Sequence, residues 1–122
     1  MEKISIEGTE DTPQINIDLE AGVFSISGRS LPEDVTTFYE PVVKWLDAYN
    51  SKSPIECAIK LEYFNTASSK IILDILMKLE ELAEASNHIS IKWYYDKNDE
   101  DMFEAGEEFS ELVEIPFELI KY

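Results

Sequence analysis

Cysteine and histidine are almost missing from this sequence: Cys57 and His88 are single occurrences in 122 residues. A lone thiol makes no internal disulfide, one Cys and one His cannot assemble a zinc site, and a reducing cytoplasm is the natural setting. Glycine is scarce too, with four residues and no glycine-rich phosphate loop. Positive charge is in short supply. Ten Lys and Arg stand against 26 Asp and Glu, a formal net charge of −16, and a field of that sign repels phosphate backbones and anionic lipid. No nucleic-acid partner and no membrane surface is expected. The opening Met1-Glu2-Lys3-Ile4-Ser5 lacks the basic-then-apolar order of a signal peptide, and Asp74 and Lys78 interrupt the longest aliphatic stretch. Neither export nor a membrane span is predicted.

What is present is enough for a core. The 44% hydrophobic and 11% aromatic content exceeds that of a disordered acidic chain. The length suits one domain over residues 1–122. No internal repeat, low-complexity tract or linker divides it.

The first third alternates with period two: Ile4 and Ile6, then Ile15, Ile17 and Leu19, are interleaved with Lys3, Ser5, Asn16 and Asp18. Ala21-Gly22 makes a turn in which glycine can take positive φ, and Phe24 and Ile26 continue a hairpin. Val35, Phe38, Tyr39, Val42, Leu46 and Tyr49 then recur at helical spacing, predicting a helix to about Asn50. Pro41 within it predicts a kink, or a fresh helix start near Thr36 or Thr37. Alternation resumes at Ile55, Cys57, Ile59, Leu61 and Tyr63, opposite Glu56, Lys60 and Glu62. Asn65-Thr66-Ala67-Ser68-Ser69 reads as a loop of candidate helix caps before a helix from about Ser68 to Ala85. Ile89, Ile91, Trp93 and Tyr95 form another strand, Met102, Gly106, Phe109 and Val113 a last helix, and Ile115–Tyr122 an edge strand.

This order contains two β-α-β units, which imply parallel neighbours through right-handed crossovers. Every strand keeps a polar face, whereas a sheet covered on both sides reads as continuous aliphatic runs. The expected fold class is α/β: a two-layer domain with a mixed β-sheet and helices mainly on one face. Lys3, Ser5, Asn16, Asp18, Lys60, Glu62, Ser90 and Lys92 are expected to line the other.

Few residues offer chemistry. In the strand-to-helix loop from Tyr63 to Lys70, hydroxyls stand beside free backbone N–H groups and the positive helix end, where an added phosphate is stabilised. The plainer reading is capping by Thr66 or Ser68. Asp96, Asn98, Glu100 and Glu107 fit places one, three, five and twelve of a calcium loop, but Asp101 stands where that loop needs glycine. These acids read better as helix-start residues favoured by the dipole. His88 has no catalytic companions, and Cys57 lies in the apolar register of a strand as a small hydrophobe. No metal, no cofactor and no enzyme activity is expected, and a constitutive interaction module fits these residues as well as a switch does.

Three segments taken together, Ser27-Gly28-Arg29-Ser30-Leu31-Pro32-Glu33, Leu61–Lys70, and Trp93–Asp96 through Met102–Glu107, resemble the SiaC family of bacterial regulatory phosphoproteins over nearly the whole chain. The resemblance implies a fold similar to the STAS domains of anti-sigma-factor antagonists. It further implies a switch acted on by a partner protein kinase and a PP2C-like phosphatase, with Thr66 as phosphoacceptor, ahead of Ser68 and Ser69. In that family the unphosphorylated form binds and activates a diguanylate cyclase, in cyclic di-GMP signalling that controls biofilm formation and aggregation. By motif, Asn65, Thr66, Ala67, Ser68, Ser69 and Lys70 are the partner-binding residues. Ala67 departs from the serine common at its place, which leaves the acceptor and removes one neighbouring hydroxyl. The alternative is a constitutive module, or a STAS-like anti-sigma antagonist with a different partner.

Overall fold

The computed structural model describes residues 3–50, 53–85 and 88–122; Met1 and Glu2 of the opening stretch lie outside them. Period-two segments become β1 (Ile4–Ile6), β2 (Gln14–Asp18), β3 (Val23–Ser30), β4 (Ile55–Phe64), β5 (Ile89–Tyr95) and β6 (Phe117–Lys121). The helical stripes become α1 (Val35–Ala48), α2 (Thr66–Glu84) and α3 (Glu100–Leu112). All six strands lie in one sheet in chain order. The β1–β2 and β2–β3 pairs are antiparallel, and β3 through β6 run parallel. The mixed sheet follows the sequence pattern, and β6 is the expected edge strand.

Each helix bridges two adjacent parallel strands, and all three bridges step the same way across the sheet. Right-handed crossovers of this kind put the helices on a single face. There the inward residues of the strands, among them Ile15, Phe24, Ile26, Cys57, Ile59, Ile91 and Trp93, meet Tyr39, Val42 and Leu46 of α1, Ile72, Ile75, Leu76 and Leu79 of α2, and Met102 and Phe109 of α3. The two-layer expectation is met. At Gly106 α3 lies close on the sheet, because a Cβ there would stand 2.5 Å from Trp93 Cδ1 and 2.6 Å from Leu119 Cδ2. The Trp93 indole N–H donates to the Met102 carbonyl at 3.0 Å beside this contact. No described helix is long and apolar enough to cross a membrane.

Three local expectations are corrected. First, the β3–β4 register shifts between Gly28 and Arg29, whose partners step from Leu61 to Tyr63. Glu62 is the extra residue of a bulge, so the alternation flips: Tyr63, expected inward, is 47% exposed and Phe64 turns to the core. Gly28 at the bulge has φ +107°, a conformation that a side chain disfavours. Second, α1 runs unbroken through Pro41 from the Asp34 cap, with no fresh start at Thr36 or Thr37. Pro41 and Thr37 are both exposed, so water can reach the carbonyl that the missing N–H leaves. Third, α2 begins at Thr66 rather than near Ser68.

Candidate functional site

The reason for that early start is the cap. Asn65 has extended backbone, and its side-chain oxygen accepts from Ser68 N–H at 2.8 Å, while its carbonyl accepts from Ser69 N–H at 3.0 Å. Asn65 rather than Thr66 or Ser68 is therefore the helix N-cap, and the expected loop 66–69 is the first turn of α2. Thr66, relieved of capping, is the first helical residue. Its side chain is exposed, with no hydrogen bond from its hydroxyl among the described residues, and Ala67 and Lys70 are exposed beside it.

The two serines differ sharply. Ser69 is half-buried, whereas Ser68 is fully buried and turned into the fold. The Ser68 hydroxyl donates to the Ser30 carbonyl at 2.9 Å and accepts from the Ser30 hydroxyl at 2.8 Å. Ser30 Oγ in turn lies 2.6 Å from Tyr39 Oη. Each hydroxyl carries one proton, so the direction of the chain follows: Tyr39 O–H to Ser30 Oγ, Ser30 O–H to Ser68 Oγ, Ser68 O–H to the Ser30 carbonyl. Burial pushes the Tyr39 phenol up to about 12, against a smaller lowering by Ser30, which keeps it a donor. The same Ser30 carbonyl accepts from Asn65 N–H at 3.1 Å. β3, α1 and the start of α2 are thus bonded together directly beneath Thr66. Of the residues expected to present a surface, Asn65, Thr66, Ala67, Ser69 and Lys70 do so at least in part; Ser68 does not.

Ser30 and Tyr39 were not legible as site residues. Tyr39 occupies the apolar stripe of α1, and Ser30 ends the inward register of β3 that Phe24 and Ile26 begin, where a serine carries no apolar signal. Phe64, one residue before the cap, packs edge-on against Trp93 at 6.2 Å and lies 6.3 Å from Phe109. All three motif segments therefore converge on the carboxyl ends of β3, β4 and β5 and on the helices that follow them.

The remaining candidates are placed elsewhere. Asp96 Oδ1 accepts from Asn98 N–H at 2.8 Å, and Asp99 caps α3 through Met102 N–H at 3.0 Å, with Glu100 and Asp101 in the first turn. Among the described residues no group of three His, Cys, Asp or Glu is placed to hold a metal ion. His88 is exposed, with its carbonyl accepting from Ile55 N–H. Cys57 is fully buried, and burial pushes its thiol far up, away from the reactive thiolate.

Comparison with known proteins agrees with the motif convergence. Residues 6–122 match the family described as SiaC family regulatory phosphoprotein. An uncharacterized protein of Pseudomonas aeruginosa strain UCBPP-PA14 is 36% identical over 119 residues, covering 96% of this chain and 94% of that protein. The structure of SiaC of Pseudomonas aeruginosa superposes with a TM-score of 0.91 at 33% identity, over the full length of both chains. A chain in the crystal structure of the diguanylate cyclase SiaD in complex with its activator SiaC, also from Pseudomonas aeruginosa, gives 0.92 at 35% identity, over 98% of this chain and 99% of that one. On the match of family, sequence and fold, the chain belongs to the SiaC family of regulatory phosphoproteins.

Proposed function

We propose that this protein is a threonine-phosphorylation switch whose unmodified form binds and activates a diguanylate cyclase. A partner protein kinase transfers the γ-phosphoryl group of ATP to Thr66 Oγ1, releasing ADP and the hydroxyl proton, and a PP2C-like phosphatase hydrolyses the ester. The observation that carries the reading is the contrast at the start of α2: Thr66 is exposed at the first helical position, while Ser68 two residues on is sealed into the hydroxyl chain. A phosphate on Thr66 stands at the positive end of the helix dipole, where the fold tolerates about −1.5 to −2 additional charge. The same group is desolvated by any partner packed on Thr66, Ala67 and Lys70, which costs several kcal/mol unless arginines receive it. Modification therefore releases the partner without unfolding the switch. Membership of the family and the SiaD complex of a relative support the choice of a cyclase as the output.

The test is two-part. Site mapping of protein purified from its native cell should find phosphate on Thr66, and Thr66→Val should abolish incorporation by the cognate kinase; full incorporation by that variant, on Ser69, overturns the acceptor assignment. Titration of the host's diguanylate cyclase with both forms should then give tighter binding and more cyclic di-GMP with the unmodified protein. Equal affinity for the two forms selects the constitutive module instead, and absence of cyclase binding selects a different output partner.

A further inference from the structure

We propose that the uncovered face of the sheet, opposite the helical layer, is a docking surface for a second copy of this chain. The distribution of charge favours that occupant. The sequences of α1, α2 and α3 hold three Lys against twelve carboxylates. On the open face, by contrast, Lys3, Arg29, Lys60 and Lys92 stand among the carboxylates of Asp18, Glu56, Glu62 and Glu118, with Asp96 and Asp99 facing Tyr122 at its edge, so this face is far less acidic than the helical layer. Each of those cations has a partner on or beside this face: Lys3 pairs with Asp18 at 3.5 Å, Lys92 with Glu56, Lys60 lies 4.3 Å over the Tyr122 ring, and Arg29 lies 5.7 Å over Tyr63. Two chains of −16 that meet by their helical layers oppose like charges at close range. Two that meet sheet to sheet keep those layers outermost, on the far sides of two sheets that themselves pack about 10 Å apart, so the layers are separated by well over the Debye length of about 8 Å at physiological salt.

Shape points to the same occupant. Of the five large apolar side chains that are most exposed among the described residues, Val23, Tyr63 and Tyr122 are on this face. Tyr63 and Tyr122 stand at the carboxyl ends of the parallel strands as two projecting rings. Toward the amino ends, small side chains at Ser25 and Ala58 leave a shallow hollow of about 340 Å³, walled by Val23, Glu56, Lys92 and Tyr94. A two-fold axis that reverses one face over the other brings the rings of each copy to the hollow of its mate, the self-complementary arrangement of an isologous dimer. The six strands, 3 to 10 residues long and about 4.8 Å apart, present roughly 600 Å² of projected area per copy, less than the roughly 800 Å² of a standard interface side. The dimer is accordingly weak and concentration-dependent.

Sedimentation equilibrium of the full chain from about 10 µM to about 1 mM, the range in which so small an interface binds, should show a monomer–dimer equilibrium. Ala58→Tyr, which fills the hollow, and Tyr122→Ser, which removes a ring at the chain end without touching the core, should each weaken association at least tenfold. Met77→Asp on the exposed side of α2 should leave it unchanged, and circular dichroism of all variants checks the fold. A chain monomeric at every concentration overturns the proposal and leaves the face to a different protein. Dimers that ignore both face variants, or that Met77→Asp abolishes, overturn it equally. The Thr66 phosphorylation result is unaffected either way, so the two readings fail separately.

Discussion

Ser30 and Ser68, 38 positions apart in sequence, are hydrogen-bonded to each other twice, once through the Ser30 hydroxyl at 2.8 Å and once through the Ser30 carbonyl at 2.9 Å. The two bonds fasten the first turn of α2 to the end of β3 in an environment without solvent access, and the proton count around them determines what each substitution costs. Ser30→Ala strands the Tyr39 O–H, and Ser68→Ala leaves one proton of the Tyr39–Ser30 pair without an acceptor. Each should destabilise by about 1–3 kcal/mol, the cost of an unsatisfied buried donor. Tyr39→Phe strands no donor and should cost only about 0.5–1.5 kcal/mol. Urea unfolding measures the three, and a Tyr39→Phe loss as large as that of Ser30→Ala would contradict the assigned direction of the chain.

Tyr39 also predicts an alkaline limb. Burial raises its phenol from the ordinary 10.0 to about 12 in the folded chain. The folded state therefore holds this proton more tightly than the unfolded one. The sign is that stability from this group is intact below pH 10 and falls as pH rises from about 10 to about 12. Thermal melts across that window should decline less steeply for Tyr39→Phe than for the unaltered protein.

Asn65→Ala should cost about 1 kcal/mol by removing the cap. Faster amide exchange at Ser68 would locate the loss, since its N–H is the one Asn65 receives. Asn65→Asp should restore protection, because a carboxylate accepts the same bond and is favoured at the positive helix end. Wild-type exchange at Ser68 in the alanine variant would mean that the cap is not what starts α2 at Thr66.

Gly106→Ala isolates a packing effect from a propensity effect. Alanine is the better helix former by about 1 kcal/mol, yet its methyl would meet the Trp93 ring at 2.5 Å. Overpacking of about 1–3 kcal/mol should outweigh the gain, and a lower denaturation midpoint with altered Trp93 fluorescence is the expected result. A stabilised variant would show that α3 can move away from β5 freely.

Cys57 supplies a built-in probe of opening. Its thiol is wholly buried and its ionisation is suppressed by burial, so labelling by a thiol reagent should proceed only through unfolding or a large local opening. The labelling rate in native buffer should match the global opening rate obtained from hydrogen exchange of β4 amides, and immediate labelling would place an entry path to the core at β4.

Much of the architecture lay in local pattern. Period-two alternation in Ile15–Leu19, Ile55–Leu61 and Ile89–Tyr95 marked strands with one wet face, and the stripe from Ile72 to Leu79 marked a helix with one dry side, because burial selects residues at the repeat of the element that carries them. The acids at Glu100 and Asp101 likewise announced the start of α3, since a helix dipole acts within its own first turn. The placement of Thr66 between a strand and a helix was legible for the same reason. What only the tertiary structure decided is set by contacts between distant segments. Glu62 follows the alternation perfectly and is nonetheless the extra residue of a bulge, because register belongs to the pairing with β3 and not to β4 alone. That bulge turns Tyr63 out and Phe64 in, which pairs Phe64 with the inward Ser30, and with Asn65 taking the cap two neighbouring hydroxyls are separated, one facing solvent at Thr66 and one sealed at Ser68. A hydroxyl's exposure is a property of what lies opposite it, and Ser30 and Tyr39 lie opposite only once α1 and α2 have both packed on the sheet.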